Sequence, residues 1–345
     1  MVDFAGWEMP VQYSSIVDEH TAVRTAVGLF DISHMGRLQF RGDASEAFLN
    51  RVLTNDTSKL NIGDVRYSLV CREDGGILDD VLMYRFPDRW ELVVNAFNRD
   101  KIVTWLAQCP GFSDLSFQDR TLSTAMIAVQ GPGSVSLLQA FVRSDIREMK
   151  YYSTCDTEIR GTSCTISRTG YTGEDGFEIV LPASAAEGLW QRLIETGATS
   201  GLKPAGLGCR DTLRLEAAMP LYGHELNESI DPLTAGLQFA VKWNKPDFIG
   251  KAALEAIRDR GLRQIRVGLS LEGRRIAREL APILVNGSNI GYVTSGTFSP
   301  TLQTVIAMAC VSSEYGHLGC RVDVDLRGTL IPATVVQLPF YRRKS

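Results

Sequence analysis

From Leu262 to its C-terminus the chain offers only short apolar runs: Gln264–Leu271, Ile283–Val285, Asn289–Thr294, Ile306–Val311, Arg321–Leu326 and Ile331–Gln337. Gly, Asn and Pro cut each run off before it reaches helical length, so these side chains can be buried only by pairing the runs as strands. Short strands joined by polar turns escape exposed edges by closing on themselves, and residues 262–345 are expected to form a small β-barrel domain. The charged segment Lys251–Arg260 reads as a helix and marks the boundary.

Residues 1–250 have a different texture. Gly36–Phe40, Arg66–Cys71, Ile77–Tyr84 and Glu91–Asn95 read as strands of an antiparallel sheet, separated by Gly-Asp, Asp-Gly-Gly and Pro-Asp turns. Between them Ser45–Leu53 and Arg99–Gln108 repeat apolar residues at i, i+3 and i+4 and read as helices. The rhythm recurs further on: Leu122–Val129, Glu158–Arg168 and Phe177–Leu181 as strand regions, Ser134–Phe141 and Ala185–Thr196 as helices. The 345 residues also exceed the ~250–300 at which a single core stops growing. The expected fold is α+β, with two antiparallel α+β lobes in residues 1–250 followed by the barrel.

Composition narrows the function. Thirty-six basic residues against 40 acidic ones give a net charge of −4 with no long basic run, which argues against nucleic acid as a partner. Apolar stretches such as Ile77–Tyr84, interrupted by Asp79 and Asp80, fall short of the ~20 residues that span a bilayer. Seven scattered cysteines, odd in number and without a CxxC pair, predict neither a disulfide framework nor a zinc site. The N-terminus lacks the basic start and apolar core of a signal peptide. A cytoplasmic protein without a metal is expected.

Five strings carry a more specific message: Val2–Pro10, Gly28–Gly36 with its Phe30-Asp31-Ile32-Ser33-His34-Met35, Gly75–Asp80, Arg168–Glu178 and Gly208–Ala217. Asp247–Leu254 and Thr294–Pro300 follow in the C-terminal part. Together, and in this order along the whole chain, they resemble the glycine cleavage T-protein family. The resemblance implies two α+β lobes and a β-barrel lobe in a clover-leaf around a folate channel. It implies an aminomethyltransferase that passes a one-carbon group from the lipoyl arm of H-protein, a transient partner, to tetrahydrofolate, releasing ammonia and needing no metal. Relatives usually carry a short segment ahead of Phe4-Ala5-Gly6-Trp7, and many have Asp where this chain has Ile102.

The same resemblance assigns roles. Asp80, the second acid of Gly75-Gly76-Ile77-Leu78-Asp79-Asp80, is the expected catalytic carboxylate, placed where cationic character develops. Strand alternation singles it out, because Asp80, Leu82 and Tyr84 share one face of the Ile77–Tyr84 strand while Asp79, Val81 and Met83 share the other. Glu178 is the expected acceptor for the ring N–H and exocyclic amine of the pterin, and Arg210 the planar donor for folate carbonyl and glutamyl groups. Met35, Tyr67, Tyr84, Asn95 and Tyr171 match positions that line the folate pocket in relatives.

Two features that draw the eye carry less. His34 has no paired Asp or Cys in sequence and reads as structural, as does Arg214, an i, i+3 partner for Asp211. Gly170–Gly176 and Gly201–Gly208 lack the spacing of a phosphate-binding loop. Two rival functions share the scaffold: a folate-dependent demethylase, which the Arg168–Glu174 string disfavours, and a non-catalytic folate-binding factor, whose Cys-containing loop is absent here.

Overall fold

Alternation builds the first sheet. In the computed structural model, which describes residues 1–343, Asp79, Val81 and Met83 of the strand Ile77–Arg85 are buried, while Asp80 and Leu82 between them are half-buried. The strands run in the order Val65–Cys71, Ile77–Arg85, Trp90–Val94, Gly36–Arg41 and Ser116–Asp119. The helices Ser45–Val52 and Arg99–Gln108 pack Phe48, Leu49, Val52, Ile102 and Leu106 against Leu38, Phe40, Leu92 and Val94.

The second sheet has six strands, ordered Thr154–Ile159, Thr162–Ser167, Gly176–Pro182, Thr124–Gln130, Val27–Asp31 and Leu202–Pro204. All neighbours are antiparallel except the last pair. The region read as Glu158–Arg168 is the second half of a hairpin whose turn residues, Arg160 and Gly161, both have positive φ (49° and 83°). Such a turn matches the right-handed twist of its strands. Val27–Asp31 is absent from the sequence reading, and its burial explains why. Val27, Gly28, Leu29 and Phe30 are all buried, so a strand covered on both faces shows no alternation.

These two sheets lie in one compact unit, formed by residues 1–70, 78–210 and 242–249. The second unit comprises residues 71–77, 211–241 and 250–345. Its centre is a closed six-stranded barrel in the order Gln264–Leu271, Thr304–Ser312, Ser288–Ser299, Pro282–Val285, Arg321–Asp325 and Leu330–Val336, the last pairing back with the first. Ser288–Ser299 outruns the expected Asn289–Thr294 and keeps its register with a bulge near Val293. Within this unit buried Arg214 joins Asp211, Glu225 and Ser295, each at 2.8 Å. The fold is thus α+β with a C-terminal six-stranded barrel.

Candidate functional site

The Asp79–Asp80 pair sits at the end of the first sheet, where Asn95 follows the strand Trp90–Val94. Strand alternation sends the two carboxylates to different sides, and they keep different company. Asp79, fully buried, accepts from the Asn95 backbone N–H at 3.0 Å, Asn95 Nδ2 at 2.8 Å and Asn98 Nδ2 at 2.6 Å. Asp80 accepts from the Tyr67 hydroxyl at 3.0 Å and from Asn95 Nδ2 at 2.7 Å. One side-chain amide therefore spans both acids. Burial and the neighbouring Asp80 charge push the Asp79 carboxyl up, against the pull of its three N–H donors. Burial also raises Asp80, opposed by Tyr67 and Asn95. Two carboxylates sharing one amide cannot both ionise cheaply, so they titrate as a pair.

Glu178 lies in the second sheet on the strand Gly176–Pro182, reached through the glycine-rich string Arg168–Glu178. That string is folded around the side chain of Gln130. Gln130 Nε2 donates to the Thr169 carbonyl at 3.0 Å, and Gln130 Oε1 accepts from Thr172 Oγ1 at 3.0 Å. A Cβ on Gly176 would meet the Val129 backbone carbonyl at 2.6 Å, and one on Gly170 would meet Gln130 Oε1 at 2.0 Å and push this bonded amide aside. Arg168 forks onto Asp175 with bonds of 3.0 and 2.6 Å, and Arg24 holds Glu174 at 3.0 Å. The loop's polar groups are spent on the protein itself rather than turned outward as a phosphate cradle.

At the end of this loop Glu178 is 7% exposed and accepts from Thr169 Oγ1 at 2.5 Å. Burial raises its carboxyl, while Thr169 and the Arg210 charge lower it. Tyr84, 3% exposed, carries a hydroxyl without a hydrogen-bond partner among the described residues. Burial and the Glu178 charge hold that hydroxyl far above the usual tyrosine range. The Arg210 guanidinium stands 4.6 Å from the Tyr171 ring centre, a cation–π distance.

His34 and Met35 sit beyond the strand Val27–Asp31 in a loop that Arg37 fastens, donating to the Met35 carbonyl at 2.5 Å and the Ser33 carbonyl at 3.1 Å. His34 is 2% exposed, meets Phe4 edge-on at 5.2 Å, and its Nδ1 has no partner among the described residues. Burial, with the Arg210 and Arg37 charges, pulls it down to about 3. Its imidazole is neutral at any working pH.

Two family models cover the chain: the GCVT N-terminal domain matches residues 1–245, and the glycine cleavage T-protein C-terminal barrel domain matches residues 264–342. The chain belongs to the glycine cleavage T-protein family. A relative from Rubrobacter xylanophilus named aminomethyltransferase is 49% identical over 345 residues, covering 100% of this chain and 91% of its own. An aminomethyltransferase of Desulfitobacterium hafniense is 46% identical over 346 residues, covering 100% of this chain and 94% of its own. Among solved structures, the glycine cleavage system aminomethyltransferase T from Bartonella henselae superposes with a TM-score of 0.93 at 34% identity, covering 99% of this chain and 94% of its own.

Within this T-protein family fold, seven of the eight residues singled out from sequence form two groups in the first unit. Asp80, Tyr67 and Asn95 are joined by hydrogen bonds. Tyr84 faces Glu178, whose carboxyl feels Arg210, and Arg210 meets Tyr171. Met35 stands apart from them, its carbonyl accepting from Arg37. The sequence reading missed Asn98 and Thr169, which orient Asp79 and Glu178. It also missed Tyr152, a non-glycine residue at φ 62° whose hydroxyl feels both Glu178 and Asp80. Thr169 lies inside a quoted string and was within reach, whereas a left-handed tyrosine leaves no trace in sequence.

Proposed function

We propose that the chain is the aminomethyltransferase of the glycine cleavage system, moving the methylene carbon from the aminomethyl-lipoyl arm of H-protein to tetrahydrofolate. The observation that carries the reading is the half-buried Asp80 carboxylate, held by Tyr67 and Asn95 beside a buried Asp79. Burial and their mutual charge disfavour ionising both acids at once. A fixed carboxylate of this kind stabilises the cationic character that develops as the carbon leaves the sulfur.

The residues also suit the acceptor. A buried Glu178 whose second neighbour is an orphaned tyrosine hydroxyl fits a flat ring that offers N–H donors to the carboxylate. Glu178 would hold the pterin edge, with Arg210 and Tyr171 supplying a charged donor and an aromatic face. Bound tetrahydrofolate supplies two amine nitrogens that take the carbon, and their two protons end on the lipoyl thiol and on ammonia. Neutral His34 adds no positive charge beside Arg210.

The carrier must dock and leave at each turnover, so its contact is transient, at or below the ~1,200–2,000 Å² of ordinary stable complexes, and sensitive to salt. Seven free thiols suit a reducing cytoplasm; among the described residues no helix is long and apolar enough to cross a membrane. The test is incubation with aminomethyl-loaded lipoyl H-protein and tetrahydrofolate, following ammonia and methylene-tetrahydrofolate. Absence of both products, or free lipoamide serving as well as the carrier protein, would overturn the assignment.

A further inference from the structure

Tyr67 is held at both ends. Its hydroxyl donates to Asp80 Oδ2 at 3.0 Å, and its backbone carbonyl accepts from Asn55 Nδ2 at 2.9 Å. Asn55, 2% exposed, spends its other polar groups nearby: its N–H goes to Ser68 Oγ at 3.0 Å and its Oδ1 takes the Asp56 N–H at 2.8 Å. Its own carbonyl accepts from the ammonium of Lys245 at 2.8 Å. Lys245 is also 2% exposed and donates to the carbonyls of Asn50 at 2.5 Å and Leu53 at 2.6 Å, at the C-terminal end of the helix Ser45–Val52.

An ammonium taken out of water is costly unless its donors are met, and here three carbonyls meet them. Two of these close a helix C-terminus, where a cation is favoured by the helix dipole. The third reaches past the helix to Asn55. Thr54 completes the anchoring, its N–H bonded to the Leu69 carbonyl at 3.0 Å and its Oγ1 accepting from the Leu69 N–H at 3.1 Å. The segment Leu53–Asn55 is therefore fixed alongside the strand that carries Tyr67.

We propose that Lys245 and Asn55 form a positioning relay that fixes the Tyr67 hydroxyl against the Asp80 carboxylate. Neither residue touches the reacting atoms, and the proposal rests on the reading of Asp80 as the catalytic carboxylate. The titratable groups that face Asp80 are Asp79 on its own strand, Tyr67 on the adjacent strand and Tyr152 from the second sheet's approach, with the neutral amide of Asn95 between the acids. Of these, only Tyr67 donates a hydroxyl proton to the carboxylate. Loosening it weakens a bond that favours the ionised acid, so Asp80 keeps its proton to higher pH and the acid limb of kcat moves up.

The test measures kcat against pH, and KM for tetrahydrofolate, in Asn55→Ala, Tyr67→Phe and the double variant. Both single changes are expected to move the acid limb up by as much as about one pH unit, an approximately tenfold loss on the acid side, and Asn55→Ala should largely keep its alkaline plateau. The double variant should be no worse than Tyr67→Phe, and Asn55→Ala should leave KM near wild type. An acid limb unmoved in Asn55→Ala, or effects that add in the double variant, would overturn the relay. Should Asn55→Ala fail to fold, Asn55→Ser, too short to span to the Tyr67 carbonyl, carries the same expectation. Asp80→Asn in the same assay separates the two ideas: turnover that survives it refutes the role of Asp80 rather than the relay.

Discussion

Replacing Asn95 with Asp tests the shared amide directly. The substitution keeps the shape but puts an oxygen where a nitrogen now lies 2.8 Å from Asp79 Oδ1 and 2.7 Å from Asp80 Oδ1. Two unit charges ~4 Å apart at an effective dielectric of ~20 repel by ~4 kcal/mol. That repulsion lifts the new carboxyl by roughly three pH units, to about 7 in the folded protein against ~3.9 unfolded. A raised carboxyl costs stability only above its unfolded value, and the cost grows by ~1.4 kcal/mol for each pH unit up to the folded value. The loss relative to wild type should be ~4 kcal/mol at pH 7, about 1.5 at pH 5, and nearly absent at pH 4. Denaturant melts of both proteins at matched pH read this out. A deficit for Asn95→Asp that stays flat or widens on acidification would refute the shared-amide account.

Three further outcomes are expected. Asp80→Asn should lower kcat by on the order of 10²–10³ while tetrahydrofolate still binds; Asp79→Asn, which sets an amide against the Asn95 N–H, should show its loss mainly in stability, and equal kcat losses in the two would count against the division of roles. Glu178→Gln and Arg210→Ala should each weaken tetrahydrofolate by ~1.5–3 kcal/mol in a binding titration without lowering the ligand-free melting temperature to match; unchanged affinity in both would remove them from the site. His34, drawn down to about 3, should show a flat imidazole proton shift by NMR from pH 5 to 8, and a titration midpoint near its ordinary value would contradict its burial.

What the sequence revealed depended on whether a feature repeats over a few residues. The two-residue period of Ile77–Tyr84 separates Asp80 from Asp79 correctly, because a half-buried strand writes its two faces in alternation. The barrel strands were legible for a similar reason, cut as they are by turn residues at short intervals. Val27–Asp31 left no such mark, being buried on both faces. Resemblance alone proposed Asn95 for the site, and its hold on both acids follows from sheet register, with Leu82 opposite Val93 and the acids just beyond. The clamp of Lys245 on Asn55 lies further out of reach, since nothing local to either residue announces a bond across 190 positions.

That separation has a consequence for how the chain is made. The helix Ser45–Val52 leaves its C-terminal carbonyls to an ammonium that the ribosome adds 192–195 positions later. At ~5–20 residues per second, the first unit waits roughly 10–40 s for the residue that closes it. During that interval the Thr54–Asn55 segment has only its own strand neighbours to hold it. A nascent chain stopped short of Lys242 would have both sheets in sequence and still lack the part that seats Asn55.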